Sequence, residues 1–449
     1  MTLSNRQITL NDTDIHIFSG SKNSFLFNPT NASSILVSNE IATKISQHNI
    51  DNNISEKLLH RKFLDNSIKS DEEKREITPV TFMIDFTKAC QNRCNYCFRE
   101  LNQHKFISYT TLTLILNYII DYCHQNSIEN IALQPWGGEP LLAWDKIKFM
   151  QNHLLSHNIK PQINIETNAI AINNTIAKEL YNHEIAISVS IDGYKEIHNH
   201  NRPMINGKGS YDHTISGFYK LQDAGYGNKI GIVGVITKKS LQHISQIIDF
   251  YAETLKIHRV KMNIIRESAN LKDADIALTD NDIINFCNTL CDNIIRINRA
   301  GYPFGESGII ERLHNLLDLK PTSLCCSRGC QGRNRIFSFD MNGNIYPCDM
   351  VDSPDFSIGN INDNISFSNL TRNSKNKFYQ HSTMSNNCNN CIHKFFCKGG
   401  CPAMALFRGS TIDGAECLRN KQLYPRLIEI IVENPDLISS ITNGEINII

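Results

Sequence analysis

Between residues 81 and 265, short apolar runs alternate six times with amphipathic stretches. The runs are TFMIDF (81–86), NIALQPW (130–136), QINIET (162–167), IAISVSID (185–192), GIVGVIT (231–237) and RVKMNII (259–265). Each has the length of a strand, and helical patterns such as TLTLILNYIIDYCHQ (111–125) and YDHTISGFYKLQDAG (211–225) lie between them. Six such units predict an α/β fold with a parallel sheet and right-handed crossovers. Two architectures satisfy the pattern, an open doubly wound sheet and an incomplete barrel. In both, chemistry belongs at the C-terminal ends of the strands.

The candidate functional residues fall on that rim. Cys90, Cys94 and Cys97 follow the first strand, GGEP (137–140) the second, TNA (167–169) the third and SIDG (190–193) the fourth. Charge gives no competing lead. Forty-five Lys and Arg balance forty-five Asp and Glu, which offers no argument for a nucleic-acid partner or an anionic membrane surface. No stretch approaches the roughly 18 apolar residues of a membrane span. The polar start MTLSNRQITLNDTD lacks a basic segment and an apolar one, so a cytoplasmic location is expected.

In a reducing compartment, fifteen cysteines point to metal binding or catalysis before disulfides. Three sit at 90–97 and nine between Cys325 and Cys417. Cys123, Cys287 and Cys291 stand apart and read as small buried apolar residues.

Flanking the repeated units, residues 1–78 carry two strand-like runs, IHIFSG and SFLFN, then helical patterns in SNEIATKISQHN and ISEKLLHRKFLDN, before the polar linker SIKSDEEKREITP. The expected organisation is an N-terminal α+β recognition-like or capping region (1–78), the repeated units (79–300), a bridging segment (301–324), a cysteine-rich domain (325–420) and a helical tail (421–449). Residues 325–420 hold too little apolar sequence to be stabilised by core burial alone, which leaves bound metal to contribute much of their folding free energy.

Three thiolates on one loop leave one iron of an iron–sulfur cubane open, since such a cluster normally takes four. A zinc site completed by a distant His or Cys is the other reading of the spacing. In full, CQNRCNYCF resembles the signature of the radical S-adenosylmethionine (radical SAM) superfamily, C-x3-C-x2-C after the first barrel strand with an aromatic residue, here Tyr96, before the last cysteine. The resemblance implies a partial (β/α)6 TIM-like barrel and a 4Fe–4S cluster on Cys90, Cys94 and Cys97. It also implies S-adenosyl-L-methionine chelating the fourth iron and a 5′-deoxyadenosyl radical formed when an electron cleaves the sulfonium. GGEP looks like the motif whose backbone, at Gly137 and Gly138, and carboxylate, at Glu139, receive the methionine ammonium; alone it is a turn. SIDGYKEIHNHNRP looks like the segment whose serine and arginine, here Ser190 and Arg202, hold the methionine carboxylate and ribose. TNA departs from the more usual TNG at Ala169, and Ala tolerates positive φ poorly.

Cys330, Gly343 and Cys348, then Cys388, Cys391, Cys397 and Cys401 at C-x2-C-x5-C-x3-C, and finally Cys417 are similar to the SPASM extension of these enzymes. That resemblance implies two auxiliary 4Fe–4S clusters, three in all. One would use Cys330, Cys348, Cys401 and an upstream cysteine, with Cys325 favoured over Cys326. The other would use Cys388, Cys391, Cys397 and Cys417. Two zinc knuckles are the alternative.

SPASM enzymes mostly modify peptides or proteins, which implies a precursor peptide with a leader as substrate and an electron donor such as flavodoxin or ferredoxin. Sulfatase-maturing members begin their cysteine motif near the N-terminus and carry Gln before GGEP; here nearly 90 residues precede Cys90, and Trp136 takes the Gln position. Asp349 stands where those enzymes place a proposed general base, and otherwise caps a turn. The expectation is a maturase of a ribosomally made peptide (a RiPP) that installs a C–C or ether cross-link at aromatic residues, nearest in layout to darobactin-type, cyclophane-forming enzymes. The alternatives are a protein-modifying oxidase of the sulfatase-maturating type and a non-catalytic iron–sulfur scaffold or electron carrier.

Overall fold

The computed structural model describes residues 3–10, 12–60, 63–64, 80–265, 276–317, 325, 330–333, 335–351, 353–363, 369–370, 378, 381 and 388–448. The expected polar linker and Cys326 lie outside them.

All six anticipated strands form, as β5 (Thr81–Thr87), β6 (Asn130–Gly137), β7 (Lys160–Thr167), β8 (Ala186–Ser190), β9 (Gly231–Ile236) and β10 (Arg259–Ile264). They pair in sequence order, every neighbour parallel. A doubly wound sheet would reverse direction from its first strand, so consecutive order decides for the incomplete barrel. The sheet grows at both ends. A two-residue strand, β11 (Gly305–Glu306), joins β10 in parallel, while β12 (Ile336–Phe339) joins β5 in parallel and continues antiparallel into β13 (Asn344–Tyr346) and β14 (Gly359–Asn360).

Strand pleating sends alternate residues to opposite faces. Phe82, Ile84, Phe86, Ile131, Leu133, Ile163, Ile165, Ile187, Val189, Ile232, Val260 and Met262 all point into the main core. Helix α3 (Tyr109–Gln125) covers part of that face with Leu112, Ile115, Leu116, Ile119, Ile120 and Cys123, an i, i+3, i+4 stripe, and Ser108 caps its first turn by accepting from Thr111 N at 2.9 Å. Cys123, Cys287 and Cys291 are fully buried, as expected of small apolar residues.

The N-terminal region is a four-stranded antiparallel meander, β1 (Ser4–Leu10), β2 (Thr13–Ser19), β3 (Asn23–Phe27) and β4 (Ser34–Ser38), followed by α1 (Asn39–Ser46) and α2 (Asn52–His60). The sequence shows β2, β3 and both helices, but not β4, SILVS, whose three apolar residues are only half-buried. Nor does it show β1, SNRQITL, in which only Leu10 is buried, because an edge strand with one core residue carries no apolar run. The sheet docks on the C-terminal helix Gly414–Glu433: Ser21 donates its N–H (2.8 Å) and its hydroxyl to the Glu433 carboxylate, and Asn23 donates to the Val432 carbonyl at 3.3 Å.

That long helix runs unbroken across residue 421, where the sequence suggested that a tail begins, and it contains Pro425. Cys417 on its first turns and the buried residues Leu423, Tyr424, Leu427, Ile428 and Ile430–Val432 therefore belong to one element. The bridging segment contributes β11 and a helix, Ser307–Leu317, that packs on β10. No helix among the described residues is long and apolar enough to cross a membrane.

Candidate functional site

The strand face turned away from the core is polar. By register Asp85 lies beside Trp136, Glu166 beside Ser188, and Ser190, Val233 and Lys261 in one row. These residues line the open side of the barrel below the rim.

At the rim the glycines decide the packing. Gly138 donates its N–H to the Thr87 carbonyl at 2.6 Å and Glu139 N donates to Ala89 O at 2.8 Å, so the end of β6 lies against the chain just before Cys90. A Cβ on Gly138 would stand 2.2 Å from Ala89 O. Gly137, at φ +135°, has Thr87 O at 2.2 Å from the same imagined position. GGEP is thus a contact surface for the cysteine loop as well as a turn.

Across the rim, residues 200–205 lace the loop from the other side. Arg93 N donates to Pro203 O (2.8 Å), Asn95 N to Asn201 O (3.0 Å) and Ile205 N to Gln91 O (2.9 Å). Arg202 donates through Nε to Asp192 Oδ1 at 3.0 Å, and its guanidinium lies 5.4 Å from the Tyr96 ring centroid. Tyr96 donates its hydroxyl to Asp192 Oδ2 at 2.7 Å, and Val235 N donates to Asp192 Oδ1 at 3.0 Å. Asp192 is fully buried. A second buried pair, Arg99 to Asp85 at 2.6 Å, ties the chain beyond Cys97 back to β5, with Arg99 5.9 Å over the Trp136 ring.

The donor set fits an iron–sulfur cluster. Cys90 Sγ accepts from Asn92 N (3.4 Å) and Asn168 Nδ2 (3.7 Å), and Arg202 Nη1 stands 4.0 Å from Cys94 Sγ; such N–H groups on sulfur stabilise thiolate ligands. Burial pushes the Cys90 and Cys94 thiols up to about 12, with the Arg202 charge opposing the shift at Cys94. Thiols so placed ionise readily only with a cation to hold. Asn92 Oδ1 and Trp136 Nε1 are buried beside the loop with no hydrogen-bond partner. Among the described residues no three His, Cys, Asp or Glu side chains form a group that could hold a single metal ion.

Glu139 is 1% exposed and accepts from Leu141 N (3.1 Å), Thr167 Oγ1 (2.7 Å) and Asn168 N (2.8 Å). Burial raises its pKa while these three donors oppose the rise. A carboxylate has about four acceptor sites, so little capacity is left for a further donor. Ser190 ends β8, half-buried on the open face. Ala169 does adopt a left-handed φ of +61°. Ala169 N donates to Thr167 Oγ1 (2.9 Å) and Thr214 Oγ1 to the Asn168 carbonyl (2.9 Å), which hold the turn. Space for it comes from Gly217, where a Cβ would meet the Ala169 carbonyl oxygen at 2.1 Å.

His198, fully buried behind Asp192, accepts from Asp192 N through Nδ1 (3.4 Å) and pairs through Nε2 with Ser210 Oγ (3.0 Å). Burial lowers its pKa from 6.5 to about 4. The unfolded chain therefore binds the extra proton below its own pKa, and stability falls as pH drops from the unfolded towards the folded value. Between about pH 7.5 and about pH 5 this group alone should cost about 2 kcal/mol. Denaturant unfolding at both pH values should show that loss in the native chain and its absence in His198→Asn; equal pH dependence of the two would contradict it.

In the C-terminal region, Cys330, Cys348 and Cys401 surround one apolar cluster with Val351, Phe378 and Ala403. Burial raises the Cys348 thiol, and Asp349, Cys330 and Cys401 add to the rise. Burial also raises the Cys397 and Cys417 thiols, with Cys417 adding to the rise at Cys397 and Cys391 and Cys388 to that at Cys417. Burial raises the pKa of Glu166, and the charge of Asp349 adds to the rise. Cys325 is exposed and lines a cavity with Lys261, Glu311 and Arg419.

A family model described as the Radical SAM superfamily matches residues 84–251. Residues 84–251 are a radical SAM domain. The chain is 26% identical over 328 residues to a cysteine-type anaerobic sulfatase-maturating enzyme of Clostridium novyi, covering 70% of this chain and 84% of that protein. To the mycofactocin maturase MftC of Mycobacterium tuberculosis it is 23% identical over 359 residues, 76% of this chain and 83% of that one. Among solved structures, native anSMEcpe with bound AdoMet shares the fold with a TM-score of 0.69 at 22% identity, over 79% of this chain and all of that one. Streptococcus suis SuiB bound to precursor peptide SuiA does so at 0.55 and 16%, over 92% of this chain and all of that one. This radical SAM enzyme thus shares its fold with proteins solved with AdoMet or with a peptide.

Asp192, Asn168, Asp85 and Arg99 were not singled out from sequence. Asp192 stands inside the SIDG motif, and an acid ten residues before an arginine was the available signal.

Proposed function

We propose that this radical SAM enzyme is a maturase of the SPASM type that oxidises a precursor peptide and joins two of its side chains. The observation that carries the reading is the continuation of the barrel sheet from β5 through β12 into β13, which puts Cys348, two residues after β13, on the same sheet as the strand that leads into Cys90.

Cys90, Cys94 and Cys97 would hold a 4Fe–4S cluster with S-adenosylmethionine at the open iron, and the pair supplies a radical able to abstract hydrogen from an unactivated carbon. Ser190, Arg202 and the Gly137–Glu139 turn would bind and orient that cofactor. Arg202, neutralised by Asp192, holds the loop from the rim. Cys330, Cys348, Cys401 and Cys325 would hold one auxiliary cluster, and Cys388, Cys391, Cys397 and Cys417 the other. Asp349 would take the proton released when the new bond forms, and the auxiliary clusters would supply the acceptor for the electron lost in the same step. The barrel walls would fix one target hydrogen and exclude water and other C–H bonds, which gives the chemistry its selectivity. A one-electron donor such as flavodoxin or ferredoxin would supply the electrons.

The meander sheet ends in β1, an outer edge whose residues Ser4–Gln7 are exposed. A leader peptide would add there as a further strand, bound through main-chain hydrogen bonds. The relatives include sulfatase-maturating enzymes, and Asp349 suits that reading too, whereas Trp136 stands where a peptide-holding Gln would be.

The test uses the reconstituted enzyme with a candidate precursor peptide and with a cysteine-containing sulfatase peptide. A precursor product lighter by two hydrogens, with a cross-linked pair in its fragmentation spectrum, supports the proposal. Conversion of the sulfatase peptide's cysteine alone would replace it with the second reading.

A further inference from the structure

Two exposed segments are stitched to the chain around Cys90, and together they are basic. On one side Asn102 N donates to Lys88 O and Lys88 N to Lys105 O, both at 2.9 Å, while Gln103 donates through Nε2 to the Cys90 carbonyl at 2.9 Å. On the other side the turn 204–208, closed by Met204 N on Lys208 O at 2.8 Å, meets Gln91 and Asn92. Large apolar side chains stand exposed on or beside both segments, at Phe106, Tyr109 and Ile205. Arg93, Lys105 and Lys208 are exposed beside them, and their side chains make no hydrogen bond or ion pair among the described residues. Lys146, on the helix Trp144–Ser156, adds a fourth cation, with its ammonium 4.9 Å from the Tyr109 ring centroid and 5.8 Å from that of Phe106. The exposed acids on the adjoining chain are already taken: Glu100, Asp145 and Asp212 face Lys88, Lys148 and Lys195 at 3.6, 3.3 and 2.8 Å. In a chain whose acids and bases are equal in number, this face therefore keeps an uncompensated positive charge beside exposed aromatic and aliphatic groups, the make-up of a protein-binding surface.

We propose that this face docks an acidic one-electron carrier protein that reduces the cluster held by Cys90, Cys94 and Cys97. This rests on the reading that those three cysteines carry a 4Fe–4S cluster. Electron transfer slows steeply with distance, so a carrier has to seat itself close to the cysteine loop. Gln103, exposed at its outer end, touches the carbonyl of Cys90 itself, which places a protein bound over residues 103–106 one side chain away from the loop. Charge selects the partner: Arg93, Lys105, Lys146 and Lys208 steer an acidic surface and repel a basic one, an effect that salt screens. One electron leaves the reduced carrier and reduces the cluster; no bond is made or broken and no proton moves.

Binding of an acidic flavodoxin to the reconstituted holoenzyme, measured by biolayer interferometry at low and high salt, tests this. In Lys105→Glu/Lys208→Glu the Kd at low salt should rise about tenfold, as expected when two exposed attractions become repulsions, and the rise should shrink at high salt. Lys160→Glu/Lys229→Glu makes the same change in net charge at the other end of the barrel, where β7 and β9 begin, and should bind as wild type does. Dithionite needs no docking surface, so with it both variants should form 5′-deoxyadenosine at the wild-type rate. With limiting reduced flavodoxin, only the Lys105/Lys208 variant should slow. If that variant loses iron, Lys105→Gln/Lys208→Gln, which removes the charges without reversing them, decides by the same comparison with a smaller rise. An unmoved Kd, an equal rise in both pairs, or no flavodoxin binding by a wild type that dithionite activates would overturn the proposal. A wild type that forms no 5′-deoxyadenosine with dithionite would instead sink the cluster reading on which it rests.

Discussion

Gly138→Ala should abolish iron incorporation at the N-terminal cysteine loop and lower stability by about 1–3 kcal/mol. The added methyl would stand 2.2 Å from the carbonyl oxygen of Ala89 and 2.8 Å from its carbon. Both are backbone atoms one residue before Cys90, and Glu139 N hydrogen-bonds that same carbonyl. No side-chain rotation relieves the clash, so the chain before Cys90 has to move and carry the first thiol with it. Iron content, with the signal of the remaining clusters as internal reference, reads the effect. A full iron complement in Gly138→Ala would show that the approach of β6 to the loop is not what places Cys90.

The second large effect belongs to the pair at the opposite side of the loop. Arg202→Met should cost about 3–5 kcal/mol, the range for leaving one member of a buried ion pair uncompensated. Asp192 is fully buried, and without the guanidinium its carboxylate keeps only the Tyr96 hydroxyl and Val235 N–H. Most of that loss should return in Asp192→Asn/Arg202→Met, in which no charge is stranded. Chemical denaturation of the single and double variants separates the cases; equal instability in both would assign the cost to lost packing around Tyr96. Cofactor binding is expected to fall in both, because the Arg202 side chain is absent from each.

How much of this was legible in the chain follows from the range of the interactions. β5 to β10 were readable because each places alternate Ile, Leu, Val or Phe on one face, a local pattern of period two. Their closure into a barrel was only half legible, since pairing order is a long-range property that the same runs leave open. The three thiols and the motifs after each strand were readable as spacing. Their supports were not: Glu139 takes its donors from Thr167 and Asn168, and Asp192 is matched to Tyr96, nearly a hundred residues earlier. The left-handed turn at Ala169 looks unfavourable in isolation, and only the close approach of Gly217 explains how it is accommodated. The helical tail expected from residue 421 is part of a helix that starts at Gly414 and passes through Pro425, with Leu423, Tyr424 and Leu427 entering the core.

The central claim is that Cys90, Cys94 and Cys97 hold an iron–sulfur cluster that activates S-adenosylmethionine. The direct measurement is iron and sulfide per chain after anaerobic reconstitution, then 5′-deoxyadenosine formed with dithionite and S-adenosylmethionine, in wild type and in Cys97→Ala. The account predicts about twelve irons in wild type, as three cubanes require, about four fewer in the variant, and product only from wild type. Zinc in place of iron, or equal product from both proteins, would contradict it.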